Sequence, residues 1–225
     1  MKIAIFGTTL YAAVTAALLA ECGHYVFICC DTEQAATGCF DIKEQDVLQA
    51  LDKQLKSKFL IYCSFTSLPL DIDAYFFSFN PADSGKALDI AKKLKMRTII
   101  HPKLMVNAST FGLYGTEKLK AVLPKDDWVY LPDTVQEGRA IQSVLSASKV
   151  IIGCDDEKVQ LLHPFLHFVS SPGFSAPPAL SSASLPGQEM PDPASVLRFA
   201  GAYSPRPRRF VDPGIYLPPE TGIYR

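Results

Sequence analysis

The chain alternates short apolar runs with longer stretches in which apolar residues recur every three or four positions. Residues 2–6, Lys-Ile-Ala-Ile-Phe, form the first run, and Gly7 ends it. Residues 10–22 follow as a helical stretch whose Ala12, Ala13, Ala16, Ala17 and Ala20 make a slim face able to lie close against a sheet. Thr8 or Thr9 suits the start of that helix as its cap, and Gly23 suits its end as the C′ residue. A second run, residues 25–30, ends on Asp31. Val47, Leu48, Leu51 and Leu55 then give residues 44–56 helical spacing, and residues 59–63 read as a third strand. Residues 75–79 are a strongly β-prone run closed by Asn80-Pro81. A helix over 83–95 turns Ala87, Ile90, Ala91 and Leu94 inward. Residues 97–100 read as the next strand; a second apolar patch, 104–106, lies just past His101-Pro102, and one of the two must be a detour. Helices over 116–123 and 137–145 alternate with strands over 128–131 and 149–153, and Asp155 opens a last helix to about His167.

Strands alternating with helices predict the α/β class, as a doubly wound, mainly parallel sheet with helices on both faces and right-handed crossovers. That domain takes in residues 1–170. The pattern ends after Phe168, and eleven prolines fall between Pro172 and the C-terminus. Residues 171–225 therefore read as an irregular, Pro-rich tail, extended or disordered apart from a helical turn over 196–200. Phe199, Tyr203, Phe210, Tyr216 and Tyr224 stand among its prolines and arginines. Such a tail suits docking along a surface, so residues 172–225 are expected to hold a protein partner or a second copy of the chain.

With 48% hydrophobic residues and a net charge of −1 over 225 residues, the chain reads as a globular domain. The charge balance gives no reason to expect nucleic acid or an anionic membrane as partner. Residues 10–20 are far too short to span a bilayer, and without a basic leader they do not read as a signal peptide. Cys22, Cys29, Cys30, Cys39, Cys63 and Cys154 form no C-x-x-C pair. Several lie inside apolar runs, so all are expected to be reduced core residues of a cytoplasmic protein. His24, His101, His163 and His167 show no metal-ligand spacing, and no metal is expected.

The chemistry is concentrated in the first thirty-one residues. Strand, glycine turn, helix, strand and acid, in that order, begin a dinucleotide-binding βαβ unit. Where the usual turn is G-x-G-x-x-G, this chain has Gly7-Thr8-Thr9-Leu10-Tyr11-Ala12, so only the first glycine remains. Ala12 is compatible with helix–strand packing, whereas a β-branched Thr9 obstructs the approach of a pyrophosphate to the backbone. Asp31 suits the hydroxyls of an adenosine ribose, or equally a turn cap.

Residues 1–7 and 10–24 resemble the opening of the UDP-glucose and GDP-mannose 6-dehydrogenases. Further landmarks follow in order: Glu44-Gln45-Asp46-Val47 for E-P-G-L, and residues 73–81 for a strand ending in T-P. Ser109-Thr110 with Gly115-Thr116 stands for S-T-V-P-x-G-T, residues 132–140 for P-E-F-L-x-E-G-x-A, and residues 149–153 for R-I-V-I-G. The resemblance spans roughly residues 1–168 and implies a Rossmann fold with NAD as cofactor and a nucleotide sugar as substrate. It implies cofactor contacts at Gly7, Thr8, Thr9, Leu10, Tyr11, Asp31, Asn80, Pro81, Thr110 and Glu137. Thr110 would stand beside the nicotinamide, and Asp133 would replace a glutamate that positions water or acts as base. Asp133 is one methylene shorter, and the proline after Ser-Thr is absent.

In that family the nucleophilic cysteine lies in a second domain, beyond a long central helix. Residues after Phe168 contain neither that helix nor a G-x-x-G-x-C-type motif. The chain alone is therefore expected not to complete a two-step oxidation through a thiohemiacetal. Two functions are weighed at this stage, beside a blander small-ligand sensor that would hold another nucleotide in the same crevice. One is a non-catalytic nucleotide-binding or assembly module, within surface-polysaccharide synthesis. The other is an NAD-dependent oxidoreductase acting on a nucleotide sugar with a partner subunit.

Overall fold

The computed structural model describes residues 1–30, 39–97, 103–112, 114–147 and 150–154, together with the backbone of 196–198. Six parallel strands make the main sheet: β1 (Lys2–Phe6), β2 (Tyr25–Cys29), β3 (Leu60–Cys63), β4 (Ala74–Phe77), β5 (Leu104–Asn107) and β6 (Asp127–Tyr130), in the order β3-β2-β1-β4-β5-β6. The central strands β1, β4 and β5 are buried almost throughout, which is why they read as unbroken apolar runs rather than alternating ones. The register places Ile3 beside Val26 and Ala74, and Phe6 beside Cys29 and Phe77. The doubly wound, mainly parallel architecture expected from the sequence is the one observed.

Among the described residues, five α-helices divide between the two faces. α1 (Leu10–Glu21), α2 (Gln45–Lys56) and α5 (Ala140–Leu145) cover one face, and α3 (Ser84–Met96) and α4 (Gly115–Val122) the other. Every residue of α1 from Tyr11 to Ala20 is buried. Its alanines let it lie against the sheet while α2 and α5 cover its outer side, so it needs no polar face. The helix ends as expected around Gly23: Gly23 N–H donates to the Ala20 carbonyl (3.0 Å) and His24 N–H to that of Leu19 (3.1 Å), a Schellman closure.

Four expectations need correction. The strand beside β4 is Leu104–Asn107 and does not start at Arg97, while Thr98–Ile100 lie outside the described residues. The physical reason is that Arg97 is the C-cap of α3, its backbone N–H donating to the Leu94 carbonyl (3.0 Å). The helix expected from Glu137 begins at Ala140, because the Glu44 carboxylate accepts from both Gly138 N–H (2.8 Å) and Ala140 N–H (3.0 Å) and fixes the start there. Residues 196–198 form a strand, β8 (Val196–Arg198), rather than a helical turn. It pairs in parallel with β7 (Val150–Ile152), which satisfies backbone groups that one isolated helical turn leaves open.

The fourth correction concerns the cysteines. Cys30 and Cys39 are joined as a disulfide, with Cα atoms 6.3 Å apart, and the other four cysteines stand outside any disulfide. Both partners pack on the α1 face of the sheet, which brings them together. The helix expected from Asp155 lies outside the described residues, as does most of residues 171–225.

Candidate functional site

In an open sheet of this strand order, ligands bind beyond the C-terminal ends of the strands, where the winding reverses between β1 and β4. Gly7 leaves β1 at that point and Ser78 leaves β4. The two backbones are in direct contact: a Cβ on Gly7 would fall 1.8 Å from the Ser78 carbonyl oxygen, and Gly7 has φ +103°. Ser78 N–H donates to the Phe6 carbonyl (2.8 Å), so its position is set by the sheet.

Thr9 closes the same point. It is the N-cap of α1, with its Oγ1 accepting from Ala12 N–H (3.1 Å). That oxygen also shares a hydroxyl hydrogen bond with Ser78 Oγ at 2.5 Å. One threonine thus ties the start of α1 to the end of β4, at the position of the second glycine of a phosphate-binding turn. The turn residue Thr8 is exposed, Leu10 is partly covered, and Tyr11 is buried edge-on against Phe76 at 5.7 Å. Burial pushes the Tyr11 phenol well above its ordinary pKa, with the nearby charge of Asp133 and the Tyr130 phenol adding to it.

The rim continues along β4, β5 and β6. Asn80 and Pro81 are exposed and open a short 3₁₀ turn, Pro81–Asp83. Ser109 is buried; its Oγ donates to the Phe77 carbonyl (3.1 Å) and accepts from Phe79 N–H (3.0 Å). Asn107 accepts from Ser109 N–H (3.1 Å) and donates to Thr116 Oγ1 (2.8 Å), so the first turn of α4 is locked to the end of β5. Thr110, next to Ser109, is exposed. Asp133 follows β6, and its Oδ1 accepts from Val135 N–H (3.0 Å) in a local turn. Desolvation raises its pKa against the lowering effect of that hydrogen bond. Glu137 is exposed in the turn before α5.

Asp31 lies outside the described residues, one position beyond Cys30 of the disulfide. Of the other sequence-derived positions, Leu10 and Tyr11 lie in the first turn of α1, and the rest stand in the segments that follow β1, β4, β5 and β6. Sequence reasoning had not singled out Ser78, Asn107 or the capping role of Glu44. A buried serine inside an apolar run was the available signal for the first; the other two depend on contacts across the fold. No group of three or more potential metal ligands exists among the described residues.

The model of the UDP-glucose/GDP-mannose dehydrogenase family, NAD binding domain, matches residues 1–167. The chain belongs to that family. Among solved structures it is similar to a UDP-glucose dehydrogenase from Pyrobaculum islandicum, at 22% identity and a TM-score of 0.65 over 76% of this chain and 45% of that one. A GDP-mannose dehydrogenase from Pseudomonas aeruginosa is similar at 20% identity and a TM-score of 0.63, over 74% of this chain and 44% of that one. An F420-dependent NADP-reductase from Arthrobacter shares the fold at 17% identity and a TM-score of 0.55, over 75% and 80%. The chain thus spans less than half the length of the two sugar-nucleotide dehydrogenases. No curated protein sequence matches it.

Against the family's motifs, the retained residues divide by use. Gly7, Ser109, Thr116 and Glu44 are engaged in packing or in backbone hydrogen bonds of the fold. Thr110, Asp133 and Glu137, the positions with implied chemistry, are exposed on the rim. A nucleotide fits the fold of this domain.

Proposed function

We propose that this chain is a non-catalytic relative of the nucleotide-sugar dehydrogenases, a pseudoenzyme that keeps the NAD-binding domain as a nucleotide-binding or assembly module in surface-polysaccharide synthesis. The observation that carries the reading is Thr9, whose hydroxyl is held between Ala12 N–H and Ser78 Oγ at the phosphate position. Asp133 supports it, since a carboxylate one methylene short of the family's glutamate is displaced by more than catalytic geometry tolerates. A cytoplasmic location belongs to the proposal; the Cys30–Cys39 disulfide counts against it, and the four cysteines outside any disulfide do not offset that.

Thermal unfolding with millimolar NAD, NADH and UDP- or GDP-sugars tests this. A ligand at 100 times its dissociation constant adds about 2.7 kcal/mol, or roughly 5–10 °C for a domain of this size. NAD is expected to leave the midpoint within about 2 °C, and no nucleotide sugar is expected to reduce NAD. A full-sized shift with NAD would overturn the reading. It would favour the alternative of an NAD-dependent oxidoreductase using Thr110, Asp133 and Glu137 with a partner subunit. The specific support for that alternative is the raised pKa of Asp133 at the end of β6, as a general base requires.

The assembly part of the proposal rests on residues 172–225, with their interleaved prolines, aromatics and arginines. Removing them is expected to leave the six-stranded sheet folded while lowering the oligomeric state seen by light scattering. An unchanged mass would sink this part, and loss of the folded circular-dichroism spectrum would move the domain boundary into the tail.

A further inference from the structure

On the α3 face of the sheet, Cys29 ends β2 and Cys63 ends β3, and the two are register partners on adjacent parallel strands. Their sulfurs lie 3.5 Å apart. We infer that Cys29 and Cys63 form a redox-active thiol pair, oxidised by low-molecular-weight disulfides of the glutathione type.

The geometry permits closure without rearranging the sheet. Neighbouring strands run about 4.8 Å apart, inside the roughly 4.4–6.8 Å that a disulfide spans between Cα atoms. The pair is reachable from solvent, because β3 is an edge strand and both cysteines are only half-buried. It is separate from the Cys30–Cys39 disulfide, which packs on the opposite face.

One member is poised as the attacking group. The hydrogen bond with Cys29 and the Arg97 guanidinium hold the Cys63 thiol below its ordinary pKa, outweighing the opposite effect of burial. Arg97 is fixed in place by its bonds to the carbonyls after β3 and by stacking over Phe65, 5.2 Å from the ring centre. Cys22 is the internal contrast, since burial pushes its pKa up to about 11. Thiolate content governs attack, so the two sites differ in reactivity.

The Cys63 thiolate attacks one sulfur of the small disulfide and forms a mixed disulfide, releasing one thiolate. The Cys29 thiol then gives up its proton and attacks the Cys63 sulfur, expelling the second thiol. Two protein thiols become one disulfide, and one small disulfide becomes two thiols, a two-electron exchange that balances.

The test is peptide mass mapping of the full chain after equilibration with graded ratios of reduced and oxidised glutathione. Because Cys29 and Cys30 are neighbours, a Cys30→Ser/Cys39→Ser variant is mapped beside the unaltered chain. A Cys29–Cys63 cross-link is expected in the variant. In the unaltered chain, one species linking the segments of Cys29–Cys30, Cys39 and Cys63 is expected. Cys29→Ser should instead hold a single glutathione on Cys63. In the fully reduced chain near neutral pH, Cys63 should alkylate at least about tenfold faster than Cys22. The inference is overturned if Cys63 stays open to alkylation at every ratio in both proteins, or if it reacts no faster than Cys22.

Discussion

Gly7→Ala is expected to destabilise the domain by about 3–5 kcal/mol. Two independent terms add. The new Cβ would lie 1.8 Å from the Ser78 carbonyl oxygen and 2.6 Å from its carbon, and both are backbone atoms that cannot swing aside. Their segment is held by Ser78 N–H on the Phe6 carbonyl and by Phe79 N–H on Ser109 Oγ. The second term is the left-handed backbone at φ +103°, which penalises an L side chain by about 1–3 kcal/mol. Against a total stability of about 5–15 kcal/mol this removes a large share, and thermal melts should fall by roughly 10 °C or more. Gly23→Ala separates the terms: it has φ +83° but nothing within 4 Å of the added carbon, so only the backbone penalty applies. Equal losses for the two variants would refute the close contact between β1 and β4 as the source.

That contact gives the first glycine of the turn a role that does not depend on phosphate binding. Gly7 serves the junction of two central strands, a requirement set by folding alone. The same division runs through the other motifs. Ser109 holds the exits of β4 and β5 together, Asn107 and Thr116 attach α4, and Glu44 joins the start of α2 to the start of α5. Residues that look like traces of a catalytic family are thus kept in place by packing whether or not chemistry occurs. On the rim, Asp133 accepts from Val135 N–H in a local turn rather than across the fold, and it is there that Asp133 and the loop after Thr110 depart from the family pattern.

The fold was legible because its signals are local. Central parallel strands are apolar on both faces, α2 and α3 carry clean helical spacing, and the order of elements dictates a doubly wound sheet. The start of the next strand was misplaced at Arg97, where two β-prone tripeptides flank His101-Pro102. That residues 104–107 enter the sheet follows from the pairing of Ala74 with Leu104, which is not visible locally. The site was legible only in outline for the same reason. Thr9 could be seen to replace a glycine, but its bond to Ser78 joins residues 69 positions apart and exists only because β4 lies beside β1. The Glu44 cap spans 94 positions to Gly138, and the Cys30–Cys39 bond matches no spacing motif.

Thr9→Gly is expected to raise NAD affinity at least tenfold while lowering the stability of the unliganded chain. The loss follows from what the hydroxyl does. Exchanging a threonine cap for glycine removes only a few tenths of a kcal/mol. Losing the bond to Ser78 removes about 1 kcal/mol more, and the added backbone freedom of glycine contributes about 0.5–1 kcal/mol. The gain comes from the same position, because Ala12 N–H, which now donates to Thr9 Oγ1, becomes available at the positive end of α1. The bare backbone also lets a pyrophosphate approach where the side chain stood. The variant should therefore melt below the unaltered chain without ligand, and millimolar NAD should raise its midpoint by several degrees more than that of the unaltered chain. Thr9→Ser is the necessary comparison, since it keeps the hydroxyl and its partners and removes only the methyl. If Ser and Gly respond to NAD alike, the methyl was the obstacle. If only Gly responds, the Thr9–Ser78 clasp is what closes the site. No response from Gly at any NAD concentration would show that Thr9 is not the barrier, and the pseudoenzyme reading would then have to rest on the rim.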